Sequence, residues 1–452
     1  MLAEPTVTVL GPDPAHRKCI LNGNAFQQDA ITSLNGWQYA AFYSSLSPDR
    51  PEPLFVHVAR RKLPSFDWQI LVLDDYPQTV DDGHNTVQIG ICPGDGTIHL
   101  SYDHHCDILR YRYSVRKLAK YPGHFEWKAD LFSPTLDYLP GLPSSHKHFG
   151  YVTYPRFGTM GEDMFCSFRD GKAGLGNDHL YLYKADSGRF YYVGTHLTGI
   201  QSNPYVHGMD YRNGRFHVTW VYREFVHYEG WDDPADTKHK QQAGPNGAEN
   251  NHDICYAYSD DKGYTWRNGH GDIIASLKDG ETITNKSPGI IALNIPKGTG
   301  LTNQESQAVD QEGRVHVLNR ENYFGGHPLW THYYRDPTDQ WFREALHLND
   351  GDHTRDFYAG KRGRVAVSRD GDVYFIVPDV TRSTLSILKT SEGHSSGHYD
   401  EIWTGGGLSG EPLIDIPRLE HDNVLSVFLR ADVEGQPDKQ NVVVLDFSLD
   451  ST

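Results

Sequence analysis

The sequence predicts an all-β fold, a seven-bladed β-propeller built from four-stranded antiparallel blades. Three observations carry that expectation. The chain of 452 residues holds 44 glycines, 25 prolines and 12 % aromatics, the make-up of many short strands joined by tight turns. A polar turn followed by an alternating or wholly apolar stretch recurs seven times at fairly even spacing. A turn of the form S-x-D-x-G-x-T-W occurs once, as "SDDKGYTW" from Ser259 to Trp266.

Taken in order, the seven pieces begin with "NGWQYAAFYSS" at Asn35, "DGTIHLSYDHH" at Asp95 and "EDMFCSFRDG" at Glu162. They continue with "NGRFHVTWVYR" at Asn213, "EGRVHVLNRE" at Glu312, "DGDVYFIVPD" at Asp370 and "DNVLSVFLRA" at Asp422. Each reads as a hairpin turn feeding a strand buried on at least one face. The one long gap contains "EGWDDPADTKHKQQAGPNGAENN", Glu229 to Asn251, which is polar and rich in turn formers. It reads as a surface insertion in a single catalytic domain spanning 1–452. The "SDDKGYTW" turn fits the Asp box of sialidase-like propellers, whose role is to fix a hairpin between outer strands.

A second regularity precedes the turns. Segments with large polar residues stand there: Gln27 and Gln28, His84 and Asn85, Tyr154 and Arg156, Tyr205 and His207. Further on come Asn303, Gln304 and Glu305, then Arg362 and Arg364. If each blade begins with its innermost strand, these side chains ring the axis, where propellers bind ligands.

Bulk properties limit the function. The formal charge is −17, and no basic stripe is visible to neutralise nucleic-acid phosphates. No run of about 18 apolar residues exists, so no membrane span is expected. The start "MLAEPTVTVL" lacks a charged and apolar leader, as a secreted protein expressed from its mature start also would. The five cysteines have no CxxC spacing and read as small buried hydrophobes rather than a disulfide framework. The sequon at Asn285 is compatible with secretion, and an extracellular monomer is expected.

Among chemistries, zinc finds no ligand spacing in His84, His99, His104 and Cys106, so no metal ligands are assigned. No G-x-S-x-G elbow signals a serine nucleophile. A sialidase needs three convergent arginines and a Tyr/Glu pair. Arg169, Arg223, Arg320 and Arg362 keep that option open, although only one Asp box is present.

The order "GHNTVQIGICPGDGTIHLSYDHH", "YVTYPRF", "CSFRDGKAGLGN", "NHDICYAYSDDKGYTW" and "NQESQAVDQEGRVHV" resembles the propeller-type polysaccharide lyases. These include ulvan lyases and the fungal L-rhamnose-α-1,4-D-glucuronate lyase that trims gum arabic, which the chain resembles most. The resemblance runs from about Asn24 to Arg364. It implies β-elimination at a uronate, on an acidic polysaccharide containing glucuronate and rhamnose. It implies His105 as base, with Tyr154, Arg169 and His84 as the other catalytic candidates. It places Asn85 and His252 at the sugar, and Tyr205, His207, Asn303, Gln304 and Arg320 are further candidates for sugar contacts. No cofactor is required, and the resemblance allows a structural calcium ion.

The chemistry itself asks for these residue types. Taking the proton from carbon 5 builds enolate-like charge on the carboxylate, which fixed cationic donors must neutralise. In the gluco configuration that proton and the oxygen on carbon 4 share a face, so one residue can serve both steps. Histidine suits this, because its unperturbed pKa of about 6.5 lets it exchange protons near neutrality. His105 is expected to end a strand and enter the cleft, with His104 on the opposite face in a structural role. An endo-acting ulvan lyase, a sialidase-like hydrolase and a silent sugar-binding propeller remain as alternatives.

Overall fold

The computed structural model describes residues 1–24, 29–199, 201–233, 235–237, 244–323, 328–350, 353–379, 381–390 and 399–449. Gln27 and Gln28, and part of the 229–251 insertion, lie outside the described residues.

All seven predicted turns are followed by a strand. These strands are Trp37–Ser47, Ile98–Tyr102, Asp163–Asp170, Arg215–Glu224, Val315–Glu321, Val373–Asp379 and Val424–Val433. In each blade this is the second strand. It pairs antiparallel with an earlier one: Ile31–Leu34, Val87–Ile91, Val152–Met160, Ser202–Arg212, Ser306–Val309, Arg364–Val367 or Leu408–Ile414. These first strands touch one another in a closed ring, so they line the axis. Seven sheets around one axis are the seven-bladed propeller.

The second strands are largely buried because neighbouring blades cover both their faces, and their polar residues, such as His316 and Asn319, are buried with them. Ile98–Tyr102 and Val315–Glu321 are buried at every position. The hydrophobic core therefore lies between neighbouring blades rather than at the hub. One cluster joins Tyr39 and Val58 of the first blade to Ile89 and Leu100 of the second. Another joins Ala366 and Ile387 of the sixth to Val427 and Leu445 of the seventh. Trp220, Trp266 and Trp330 are fully buried in such seams. A side chain of this kind contributes upwards of about 2 kcal/mol by its burial. Close approach of blades explains Gly90: a Cβ there would sit 2.4 Å from the Phe157 side chain.

The ring is closed by the N-terminus. Thr6–Pro12 pairs with Gln436–Ser448 and forms the outer strand of the last blade. A buried polar joint locks that blade to the first. Arg61 reaches Asp446 at 2.6 Å, and Arg418 holds the other oxygen of the same carboxylate at 2.7 Å. The Asp box folds as expected between Asn251–Ser259 and Thr265–Arg267. The Gly263 amide donates to Ser259 Oγ, and the Thr265 amide to Asp261 Oδ1.

Two details correct the sequence reading. The second blade has three strands, the third has five, and the fourth has six, Ile291–Leu293 pairing with Asn251–Ser259. The strand from Ile98 also does not run on to the histidines: it ends at Tyr102. Asp103 then takes a left-handed backbone (φ 64°), and His105–Asp107 crosses over to pair with Val152–Met160. It becomes a fifth, innermost strand of the third blade. Hydrogen bonding explains the crossover. The Asp103 carboxylate receives Tyr76 Oη, Gln78 Nε2 and Asn85 Nδ2, which fixes the turn against the first two blades.

Candidate active site

The positions singled out in the sequence lie where first strands begin and second strands end. They therefore share one face of the propeller. His105 opens the innermost strand and pairs with Thr153, which in turn pairs with Arg169. Tyr154 follows at a bulge with φ 58°, ahead of Pro155. This strained residue lets its ring leave the pleat and face His84, with ring centroids 5.6 Å apart.

The centre of the site is a carboxylate between two imidazoles. Asp82 Oδ1 meets His84 Nδ1 at 2.7 Å, and Asp82 Oδ2 meets His105 Nδ1 at 2.5 Å. The His84 backbone amide also donates to Asp82 Oδ1, which makes the Asp-Gly-His segment a tight turn. The two imidazole rings stack at 3.8 Å. Each Nδ1 addresses its own carboxylate oxygen, so on His105 the nitrogen turned away from Asp82 is Nε2. His105 is only 6 % exposed.

Beside this pair stand two tyrosines and two arginines. The Arg169 guanidinium lies 5.0 Å from the Tyr154 ring and 5.8 Å from the Tyr205 ring. Its Nη1 is 3.5 Å from Tyr205 Oη. The Arg223 guanidinium lies 4.6 Å from the Tyr205 ring, and its Nη2 donates to Asn303 Oδ1 at 2.7 Å.

Electrostatics sorts these groups into roles. Burial pushes His105 down, the His84 neighbour adds to this, and Asp82 opposes it only in part; the result is about 4. His105 is thus a neutral acceptor at neutral pH. Burial pushes Asp82 up, but the bonds from His105 and His84 outweigh it and hold the carboxylate well below its usual range. Burial pushes the Tyr154 phenol well up, against Arg169, so it keeps its proton. For Tyr205 burial acts upward too, but Arg223 and Arg169 outweigh it and the net shift is downward. Arg169 is buried, which disfavours its charge, yet the tyrosines around it raise it further and it stays cationic.

Not every predicted contact lies in this first layer. Asn85 is 1 % exposed and its amide is spent on Asp103, while its Oδ1 is buried with no hydrogen-bond partner among the described residues. His207 is buried too. It accepts from the Glu305 amide, and burial holds it near 3. Asn303, Gln304 and Arg320 form the layer behind Arg223. The Asn303 amide donates to Gln304, and Arg320 is clamped on the buried Glu305. His252 stands one strand further out, against Tyr222 and Asp253. His104 is buried and accepts from the Arg110 amide, a structural part as expected. His99 bonds Tyr111 inside a seam, and all five cysteines are free.

Two residues were not assigned a place in the site from the sequence. Asp82 carries both imidazoles; its signal was present in "DDGHN", where an Asp two residues before His forms an Asx turn. Arg223 was named only as one of many arginines, and nothing local marks it as the partner of Tyr205. Metal-ligand chemistry is offered by two trios among the described residues, Asp82–His84–His105 and His148–Asp170–His179.

A seven-bladed propeller with a buried carboxylate–imidazole pair and paired arginines at one mouth of its axis defines the class. The chain belongs to the BNR repeat-containing family, whose model matches residues 37–347. It is 24 % identical over 279 residues to the long isoform of an ulvan lyase from Pseudoalteromonas sp. (strain PLSV), covering 53 % of this chain and 26 % of that protein. A corresponding ulvan lyase from Alteromonas sp. is 25 % identical with the same coverage. The matched part is thus about a quarter of these curated relatives' length. In fold, the chain is similar to the polysaccharide lyase Uly1, with a TM-score of 0.70 at 18 % identity, over 99 % of this chain and all of that one. It is also similar to a PL25 ulvan lyase, with a TM-score of 0.64 at 14 % identity, over 97 % of this chain and 95 % of that one.

Proposed function

We propose that this protein is a polysaccharide lyase that cleaves rhamnose-α-1,4-glucuronate linkages by β-elimination. Its products are then free rhamnose, or a rhamnose-ended fragment, and a 4,5-unsaturated glucuronate. The observation that carries this reading is the Asp82–His105 pair set beside Tyr154 and Arg169 at the propeller axis.

Arg169 faces the uronate carboxylate and neutralises the charge that builds there. His105, neutral and backed by Asp82, takes the proton from carbon 5. The electron pair of that bond becomes the carbon 4–carbon 5 double bond, and the carbon 4–oxygen bond breaks. The departing oxygen takes a proton from the His105 imidazolium or from the Tyr154 phenol, which burial keeps protonated. Asp82 stabilises the imidazolium through its 2.5 Å contact and fixes which ring nitrogen is the base. No step calls for an organic cofactor. Extracellular location and a monomeric state remain part of the proposal, as does a structural calcium ion.

An endo-acting ulvan lyase is the second reading, favoured by the names of the matched relatives. One experiment separates the two. Gum arabic and ulvan are each incubated with the enzyme, and ultraviolet absorbance of the conjugated uronate and released sugars are read together. Free rhamnose from gum arabic with rising absorbance supports the first reading. Sized, absorbing oligosaccharides from ulvan with nothing from gum arabic support the second. Sugar release from either without absorbance overturns elimination.

A further inference from the structure

The third blade holds a second imidazole–carboxylate cluster that the elimination chemistry does not use. His148 precedes the strand Val152–Met160, Asp170 ends Asp163–Asp170, and His179 lies on Asn177–Lys184. His148 Nδ1 lies 2.6 Å and His179 Nε2 3.0 Å from the same atom, Asp170 Oδ2. This differs from the Asp82 trio, where each imidazole addresses its own oxygen. These two ring nitrogens and the carboxylate oxygen lie within 4.8 Å of one another, a donor set that a metal ion can draw together.

The far sides of both rings are fitted for ligation. Tyr192 Oη lies 3.2 Å from His148 Nε2 and 3.2 Å from His179 Nδ1, and Thr195 Oγ1 lies 3.1 Å from the latter. Hydroxyl oxygens there can accept the outer N–H groups once an ion takes the inner lone pairs; without an ion, His148 Nδ1 hydrogen-bonds the Asp170 carboxylate. Metal-binding histidines are oriented in this way by acceptors on their other nitrogen. His179 is fully buried, and its Nε2 makes no well-directed hydrogen bond despite its nearness to Asp170. A buried imidazole nitrogen without a directed bond costs stability unless something else occupies it.

We propose that His148, Asp170 and His179 form a binding site for a divalent transition-metal cation of the zinc type. Two imidazoles and one carboxylate suit such a borderline cation better than calcium, which takes oxygen ligands. Ligands on tetrahedral zinc stand about 3.3 Å apart for bonds of about 2.0–2.1 Å. The His148 and His179 nitrogens, at 2.6 and 3.0 Å from Asp170 Oδ2, are about 0.7 and about 0.3 Å closer than that, so both imidazoles must draw back to admit the ion. The Asp170 side chain is 21 % exposed, so solvent reaches the carboxylate and can supply a further ligand. The ion's role is structural. It ties the segment before Val152 to the end of the strand that carries Arg169, one residue from Asp170. This inference does not depend on which polysaccharide is cut.

The test uses the full chain, stripped with a chelator, reloaded with zinc, dialysed and analysed for bound metal. One equivalent is expected in the wild type and in His105→Ala, with near-complete loss in Asp170→Asn and in His148→Gln. Zinc is also expected to raise the melting temperature of the wild type but not of these two variants. Cobalt in place of zinc should give the visible bands of a low-symmetry four-coordinate site in the wild type, a readout that needs no variant to fold. No retained zinc and no such bands in the wild type would overturn the site. So would metal that is lost in His105→Ala and kept in Asp170→Asn, which would place the ion at the other trio.

Discussion

Replacing Asp82 by Asn separates the role of its charge from that of its shape. The side chain keeps its size and its place in the turn before His84. What is lost is a charge-assisted bond to His105 at 2.5 Å. A hydrogen bond to a charged group contributes about 1.5–3 kcal/mol, which alone slows formation of the imidazolium by roughly 10- to 150-fold. An amide can also turn its N–H toward His105 Nδ1 and leave the proton on Nε2, the nitrogen that must accept. The corresponding change in serine-protease triads costs about 10⁴. A fall in kcat of about 10² to 10⁴ is therefore expected, with KM changed little. The assay is initial-rate ultraviolet absorbance on a glucuronate–rhamnose oligosaccharide across pH. Asp82 also raises His105 against the effect of burial, so its loss should move the acidic limb of kcat/KM further down. Activity within about threefold of wild type at neutral pH, with an unmoved limb, would refute the assigned role of Asp82.

The other expectations concern neighbouring parts. Arg169→Lys keeps a charge but removes the fork beside Tyr154 and Tyr205; a loss of about 10²-fold or more in kcat is expected from steady-state kinetics. In the wild type the acidic limb of kcat/KM should fall near 4 rather than at the ordinary histidine value, because a base must be neutral and burial holds His105 there. Folding stability should decline as pH drops from about 6.5 toward 3. His99 and His207 are held near 3 and His196 near 4 when folded, so the unfolded chain binds their protons first; chemical denaturation at stepped pH reads this. Asp446→Ala leaves Arg61 and Arg418 buried without their shared carboxylate. It should cost about 3–5 kcal/mol in urea unfolding while sparing the site's geometry.

The blades were legible because their signal is local. A turn residue followed by a strand apolar on both faces needs no partner to be recognised, and "NGRFHVTWVYR" or "DGDVYFIVPD" contains all of it. Closure of the ring was not legible, since Thr6–Pro12 finds its partner at the opposite end of the chain. The path at His104 and His105 was misread for a related reason. The alternation from Ile98 runs on smoothly, but Asp103 breaks it by binding side chains from Tyr76, Gln78 and Asn85. In the site, His84, His105, Tyr154 and Arg169 came from a motif resemblance and do stand together. Asp82 was readable only as a turn former. Arg223 depends on Tyr205 coming from a neighbouring strand of its blade, which no spacing announces.

The central claim is that an imidazole at the axis removes a carbon-bound proton rather than assisting hydrolysis. It is tested most directly by following a rhamnosyl-glucuronate oligosaccharide with wild type and His105→Ala, reading the conjugated double bond and the freed sugar in the same tube. The predicted result is one double bond for each linkage cut by the wild type, and a loss of about 10²-fold or more of both signals in the variant. Sugar freed without a double bond, or a His105→Ala enzyme as fast as the wild type, would contradict it.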